Sequence, residues 1–161
     1  MNYTPSQIKN LMRRGLRLLI DPEPKKDAKK SVRYFFKDEC AYCGRQIEDG
    51  AYDIDHLVSA AMGGANALAN RVLSCKNCNA KEKRDRNWIE FLKEKCSSEN
   101  IFDKRKSRIM QWIKINGGRP ALDSEILSLL QQEADRTTKE YDTACARIRN
   151  HSQQIDITYR L

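Results

Sequence analysis

The sequence predicts an α+β fold that is mostly helical, with a small metal-bound core in mid-chain and helices before and after it. Two Cys-x-x-Cys pairs, Cys40/Cys43 and Cys75/Cys78, bracket the central stretch. Each pair forms a tight turn that can aim two sulfurs at one point, which suits a tetrahedral zinc site. Glycine and proline are sparse, at seven and four of 161 residues, so most of the chain is expected to be regular. On both sides of the bracket, apolar residues recur at helical spacing. The expected organisation is a basic helical arm at 1–38, the core at 39–96 and a C-terminal helical region at 97–161.

Taken in order, Thr4-Pro5-Ser6-Gln7 reads as a helix start. Thr4 is the N-cap, Pro5 occupies the first turn and Gln7 closes a capping box. Ile8, Leu11, Met12, Leu16 and Leu19 follow at helical spacing, and the helix should stop before Asp21-Pro22-Glu23-Pro24. A second helix is expected over 25–37, with Ala28, Val32, Phe35 and Phe36 as its apolar residues. Gly44 gives the first knuckle its turn. Residues 51–58 and 71–74 read as short strands, joined by a loop containing Gly63-Gly64. Neighbours on a strand point to opposite faces. Asp55 and His56 can therefore share a site only if the strand bends or ends beside them. One helix is expected from about Cys78 to Lys95, burying Trp88, Phe91 and Leu92. Another is expected over 101–115, closed by Asn116-Gly-Gly-Arg-Pro120. The last starts after Asp123. Leu127, Leu130, Ala134, Thr137, Tyr141, Ala144 and Ile148 there repeat at heptad spacing, which fits either a homodimer seam through 127–148 or an intramolecular helical hairpin. The tail Ile155–Tyr159 reads as a short strand or a loose end.

Charge points to the partner. The chain carries +8, and residues 1–38 hold ten Lys/Arg against four Asp/Glu. A concentrated basic surface is the footprint of a polyanion. Arg13, Arg14, Arg17, Lys29, Lys30 and Arg33 are the candidates for phosphate contact. No apolar run is long enough to cross a bilayer, and no signal-peptide pattern is visible. With four of the six cysteines paired as CxxC, a cytoplasmic location and a bound metal are expected rather than disulfides.

The pattern of Cys40-Ala-Tyr-Cys43-Gly44, Asp53-Ile-Asp55-His56, Gly63-Gly64 and Asn70-Arg-Val-Leu-Ser-Cys75-Lys-Asn-Cys78-Asn79 resembles the zinc-containing, four-cysteine branch of the HNH endonucleases. The resemblance covers about residues 38–90 and implies a ββα-metal core, two strands and a helix around one catalytic ion. It further implies that Asp55 and Asn79 bind that ion, that His56 is the general base and that Asn70 orients the loop or His56. Cys40, Cys43, Cys75 and Cys78 then hold a structural zinc. Where many members have a lysine this chain has Glu82, flanked by Lys81 and Lys83, so both lysines are candidates for DNA contact.

The residue types suit phosphodiester hydrolysis on chemical grounds. A neutral imidazole can accept a water's proton near pH 7. Carboxylate and amide oxygens suit a hard cation such as Mg²⁺ or Mn²⁺. The expected function is a metal-dependent DNA endonuclease, bacterial or phage-encoded, acting on double-stranded DNA. A zinc-ribbon module that binds nucleic acid without cutting is the alternative from another class, and an RNA nuclease is a third reading.

Overall fold

A computed structural model describes residues 3–25 and 27–154. The elements run α1 (Pro5–Ile20), α2 (Ala28–Phe36), β1 (Tyr52–His56), β2 (Arg71–Cys75), α3 (Trp88–Glu94), α4 (Glu99–Ile115) and α5 (Ser124–Gln154). Single 3₁₀ turns occur at Ala60–Met62 and Leu68–Asn70, and a π-wound turn spans Asn77–Lys83. The chain divides into two compact units. α1 and α5 form one, and Asp21–Asp123 the other. Residues 1–38 thus contribute α1 to one unit and α2 to the other. The tail 155–161 lies outside the described residues.

In the first unit, α1 begins with the reciprocal cap expected of its sequence. The Thr4 amide donates to Gln7 Oε1 at 2.8 Å, and the Gln7 amide donates to Thr4 Oγ1 at 3.3 Å. The helix ends ahead of the Asp21-Pro22 step, where a proline disfavours helical geometry in the residue before it. α1 packs along α5, and Lys9 pairs with Asp142 at 3.0 Å. Ala134 and Thr138 are the buried residues of α5 among those described, and Leu127, Leu130, Thr137 and Tyr141 are half-buried.

The second unit is built on a two-stranded antiparallel ribbon. Its register pairs Tyr52 with Cys75, Asp53 with Ser74, Ile54 with Leu73, Asp55 with Val72 and His56 with Arg71. β1 ends at His56, as the Asp55-His56 step requires if both are to serve one site. Every residue of β2 is buried, because α2 packs on the strand and the π-wound turn contacts it. Val32 and Phe36 of α2, Phe91 and Leu92 of α3, and Ile109 and Trp112 of α4 close a single apolar core around the strands. Trp112 also donates its indole N–H to the Leu68 carbonyl at 2.8 Å.

Two elements differ from expectation. The second helix is shorter than 25–37, because Lys37 and Asp38 adopt left-handed backbone (φ 52° and 54°) and turn the chain into the first knuckle. The Arg33–Asp38 ion pair, 2.7 Å, holds that turn. The expected helix from Cys78 to Lys95 is two pieces. The π-wound turn ends at Lys83, and Arg84 takes φ 48°, ψ −119°. Asn87 then caps a new helix by accepting from the Ile89 and Glu90 amides at 2.9 and 3.3 Å. α3 still buries Trp88, Phe91 and Leu92. The break lets Lys83 point into the protein while Trp88 and Phe91 reach the core.

Candidate functional site

The four thiols converge. The sulfurs of Cys40, Cys43, Cys75 and Cys78 all lie within 4.8 Å of one another, and Cys43 and Cys75 Sγ are 3.9 Å apart. A tetrahedral zinc with bonds of about 2.3 Å requires sulfur separations of about 3.8 Å, so the donor set fits zinc. The thiols cannot all ionise unaided. S–H bonds from Cys43 and Cys78 push the Cys40 thiol strongly down, while Cys43 and Cys78 are pushed up. A divalent cation is what allows four thiolates to sit together. Gly44, at φ 72°, leaves space that Arg105 fills; a Cβ there would lie 2.2 Å from the guanidinium. Arg105 donates to the Tyr42 carbonyl at 2.8 Å and the Cys43 carbonyl at 3.0 Å. α4 therefore clamps the first knuckle, a contact that the sequence pattern does not announce.

Beside the thiol cluster, the acidic residues of β1 meet the π-wound turn. Asp53 and Asp55 share one face of the strand. Asn79 Nδ2 donates to Asp53 Oδ2 at 3.2 Å, and Lys83 Nζ lies 3.2 Å from Asp55 Oδ2. Asn79 and Lys83 of the π-wound turn thus face Asp53 and Asp55, whereas Lys81 is exposed.

Lys83 is fully buried, so its ammonium needs acceptors on every side. It finds the His56 carbonyl at 2.6 Å and the Arg84 carbonyl at 3.3 Å as well as Asp55. Asp55, 5% exposed, also accepts from the Tyr42 hydroxyl at 2.6 Å. Burial raises the Asp55 pKa, and the neighbouring Lys83 charge and the Tyr42 bond oppose that rise. Burial and the Asp55 charge hold Tyr42 well above the usual phenol range, so it stays a donor. Asp55 and the Asn79 amide carry oxygens of the kind a hard cation takes, with Asn79 bonded to Asp53 and Asp55 to Tyr42 and Lys83; His56 is half-buried.

Asn70 is completely buried and fastens the loop after β1. Its Oδ1 accepts from the Val58 amide at 2.8 Å, and its Nδ2 donates to the Val58 and Ala65 carbonyls, both at 2.8 Å. Gly64 sits so close to this staple that a Cβ would fall 1.7 Å from the Val58 oxygen, so no larger residue fits. The loop's far side is tied to the chain before α2. Asn66 bonds Asp21 at 2.8 Å, and Arg71 pairs with Glu23 at 2.6 Å.

The cationic candidates belong to both units. Arg13 and Arg14 are exposed and Arg17 half-buried on α1, while Lys30 is exposed on α2. Arg33 is engaged by Asp38 and Asp49 and lies 4.8 Å over the Tyr52 ring. Glu82 is bound to Lys95. No helix of the described residues is long and apolar enough to cross a membrane.

Residues 40–85 match the model of the HNH endonuclease family. A protein of Bacillus subtilis (strain 168), named "SPbeta prophage-derived putative HNH endonuclease YoqL", is 30% identical over 93 residues. That alignment takes in 49% of this chain and 36% of the relative, so the chain spans little more than a third of the relative's length.

Proposed function

From the HNH endonuclease domain that residues 40–85 form, we propose that this chain is a metal-dependent DNA endonuclease hydrolysing phosphodiester bonds. The observation that carries the reading is the meeting of Asp53 and Asp55 with the Asn79–Lys83 turn, next to His56 and the thiol cluster. Asp55 and Asn79 would hold one Mg²⁺ or Mn²⁺, and Cys40, Cys43, Cys75 and Cys78 a structural zinc. When bound, the hard cation supplies Lewis acidity at the scissile phosphate. His56 takes the proton of the attacking water as general base. Asn70 keeps the loop after His56 in place, and Tyr42 and Lys83 keep Asp55 ionised and fixed.

Double-stranded DNA is the proposed substrate. Arg13, Arg14 and Arg17 of the one unit, and Lys29, Lys30 and Lys81 of the other, are each proposed to meet phosphates, with Arg33 adding charge from within its ion pairs. Lys83, spent on Asp55 and the His56 carbonyl, has no reach to DNA. One such site cuts one strand at a time. A homodimer through 127–148, where Ala144 and Ile148 of the heptad run stay exposed, would cut both. The prophage origin of the relative supports a bacterial or phage setting and a cytoplasmic location.

The test is supercoiled plasmid incubated with the full chain and Mg²⁺, Mn²⁺ or EDTA. Nicked or linear product in either metal, abolished by EDTA, is expected. Cleavage indifferent to EDTA would overturn the metal role. Retention of DNA without cleavage would replace the enzyme with a binding module.

A further inference from the structure

Two hydrogen-bond donors converge on one oxygen of Asp55. The Tyr42 hydroxyl reaches Oδ2 at 2.6 Å, and Lys83 Nζ lies 3.2 Å from the same atom. Neither donor is free to move. Tyr42 is completely buried, its ring set edge-on against Phe91 with centroids 5.1 Å apart. Lys83 is completely buried as well, its ammonium fixed by the His56 and Arg84 carbonyls. Both residues also belong to the zinc frame. Tyr42 stands between Cys40 and Cys43, and Lys83 ends the turn that contains Cys78.

We propose that Tyr42 and Lys83 are positioning residues that pin Asp55 Oδ2 and present Oδ1 alone to the divalent ion. The inference rests on the proposed ion at Asp55. A free carboxylate can offer two oxygens, and Ca²⁺ accepts both; Mg²⁺ and Mn²⁺ suit single oxygens at octahedral positions. Two donors on Oδ2 remove the bidentate option. The zinc knuckle then has a task beyond stability, because it holds the tyrosine that orients the neighbouring site's carboxylate. Groups that orient a metal ligand from behind typically change metal affinity or activity about 10- to 100-fold when removed.

The test is Mn²⁺ binding to the zinc-loaded full chain by isothermal titration calorimetry, with zinc content, melting and single-turnover DNA cleavage measured alongside. Tyr42→Phe keeps the ring and its packing and loses only the hydroxyl. It should bind Mn²⁺ about 10- to 100-fold more weakly, keep its zinc and stay folded, and regain its cleavage rate in excess Mn²⁺. Mn²⁺ affinity within twofold of wild type, or a rate deficit that excess Mn²⁺ does not repair, would overturn the proposal. Lys83→Met should also weaken Mn²⁺ binding; if it does not fold, Tyr42→Phe decides alone. A wild-type chain that neither binds Mn²⁺ nor cleaves removes the functional reading itself. Wild-type binding with an unchanged Tyr42→Phe removes this inference alone.

Discussion

The α1–α5 pair and the unit at Asp21–Asp123 are both rich in helix, yet different forces hold them. α1 buries none of its residues, and Leu11 and Leu19 stay 50% and 80% exposed. Its register rests on half-buried apolar contacts and the Lys9–Asp142 ion pair. The second unit has a closed apolar core and is crossed by polar clamps between residues far apart in sequence. Arg105 grips the knuckle, Arg108 ties Glu39 and the Phe35 carbonyl, Asn70 staples the loop, and Lys83 locks Asp55. Such clamps fix side chains to a fraction of an ångström, which a chemical site requires and a charged helical surface does not. Apolar burial and tertiary clamps also set the local cost of opening, so the helix pair should open at lower free energy than the core.

That contrast can be broken at several strengths. The largest effect is expected at the thiol cluster. Cys75→Ser or removal of zinc should unfold residues 21–123, because structural zinc in small domains supplies roughly 10 kcal/mol or more of folding free energy. Circular dichroism and metal analysis would check it, and a folded, zinc-free protein would contradict it. Next is Phe91→Ala, which empties a core position 1% exposed and should cost about 3–5 kcal/mol in denaturant unfolding. On the charged surface, replacing Arg13, Arg14 and Lys30 with Ala should leave folding unchanged. It should weaken binding to all DNA sequences alike and reduce the salt slope by about two to three units. A changed sequence preference at constant slope would contradict that. The smallest effect is expected for Asn87→Ala, which removes the α3 cap and should cost about 1 kcal/mol.

Much of the candidate site was legible because its signals are local. Two CxxC pairs define the zinc donors within four residues each, and the Thr4–Gln7 cap, the caesura at Asp21-Pro22 and the end of β1 at His56 follow from nearest-neighbour chemistry. What was hidden depends on residues meeting across the fold. Tyr42 reads as a spacer inside a knuckle until Asp55 is seen beneath its hydroxyl. Lys83 reads as a surface cation until the turn that carries it is seen to face Asp53 and Asp55. The break at Arg84 was obscured because Trp88, Phe91 and Leu92 continue a helical rhythm across it; Asn87, a strong N-cap residue, was the available clue. Arg105 gave no sign of its grip on the knuckle, since the Tyr42 and Cys43 carbonyls it holds lie more than 60 residues earlier.

Separation of two metal roles in one unit is the central claim, and His56 tests it most directly. Single-turnover DNA cleavage by His56→Ala and Asp55→Ala should be followed across a titration of Mg²⁺ and Mn²⁺. His56→Ala should keep its zinc, fold and DNA affinity while the cleavage step slows by about 10²–10⁴-fold, and added metal should not restore it. Asp55→Ala loses an ion ligand, so excess metal should recover part of its rate. Wild-type cleavage by His56→Ala, or its rescue by added metal, would contradict the role of His56 as base.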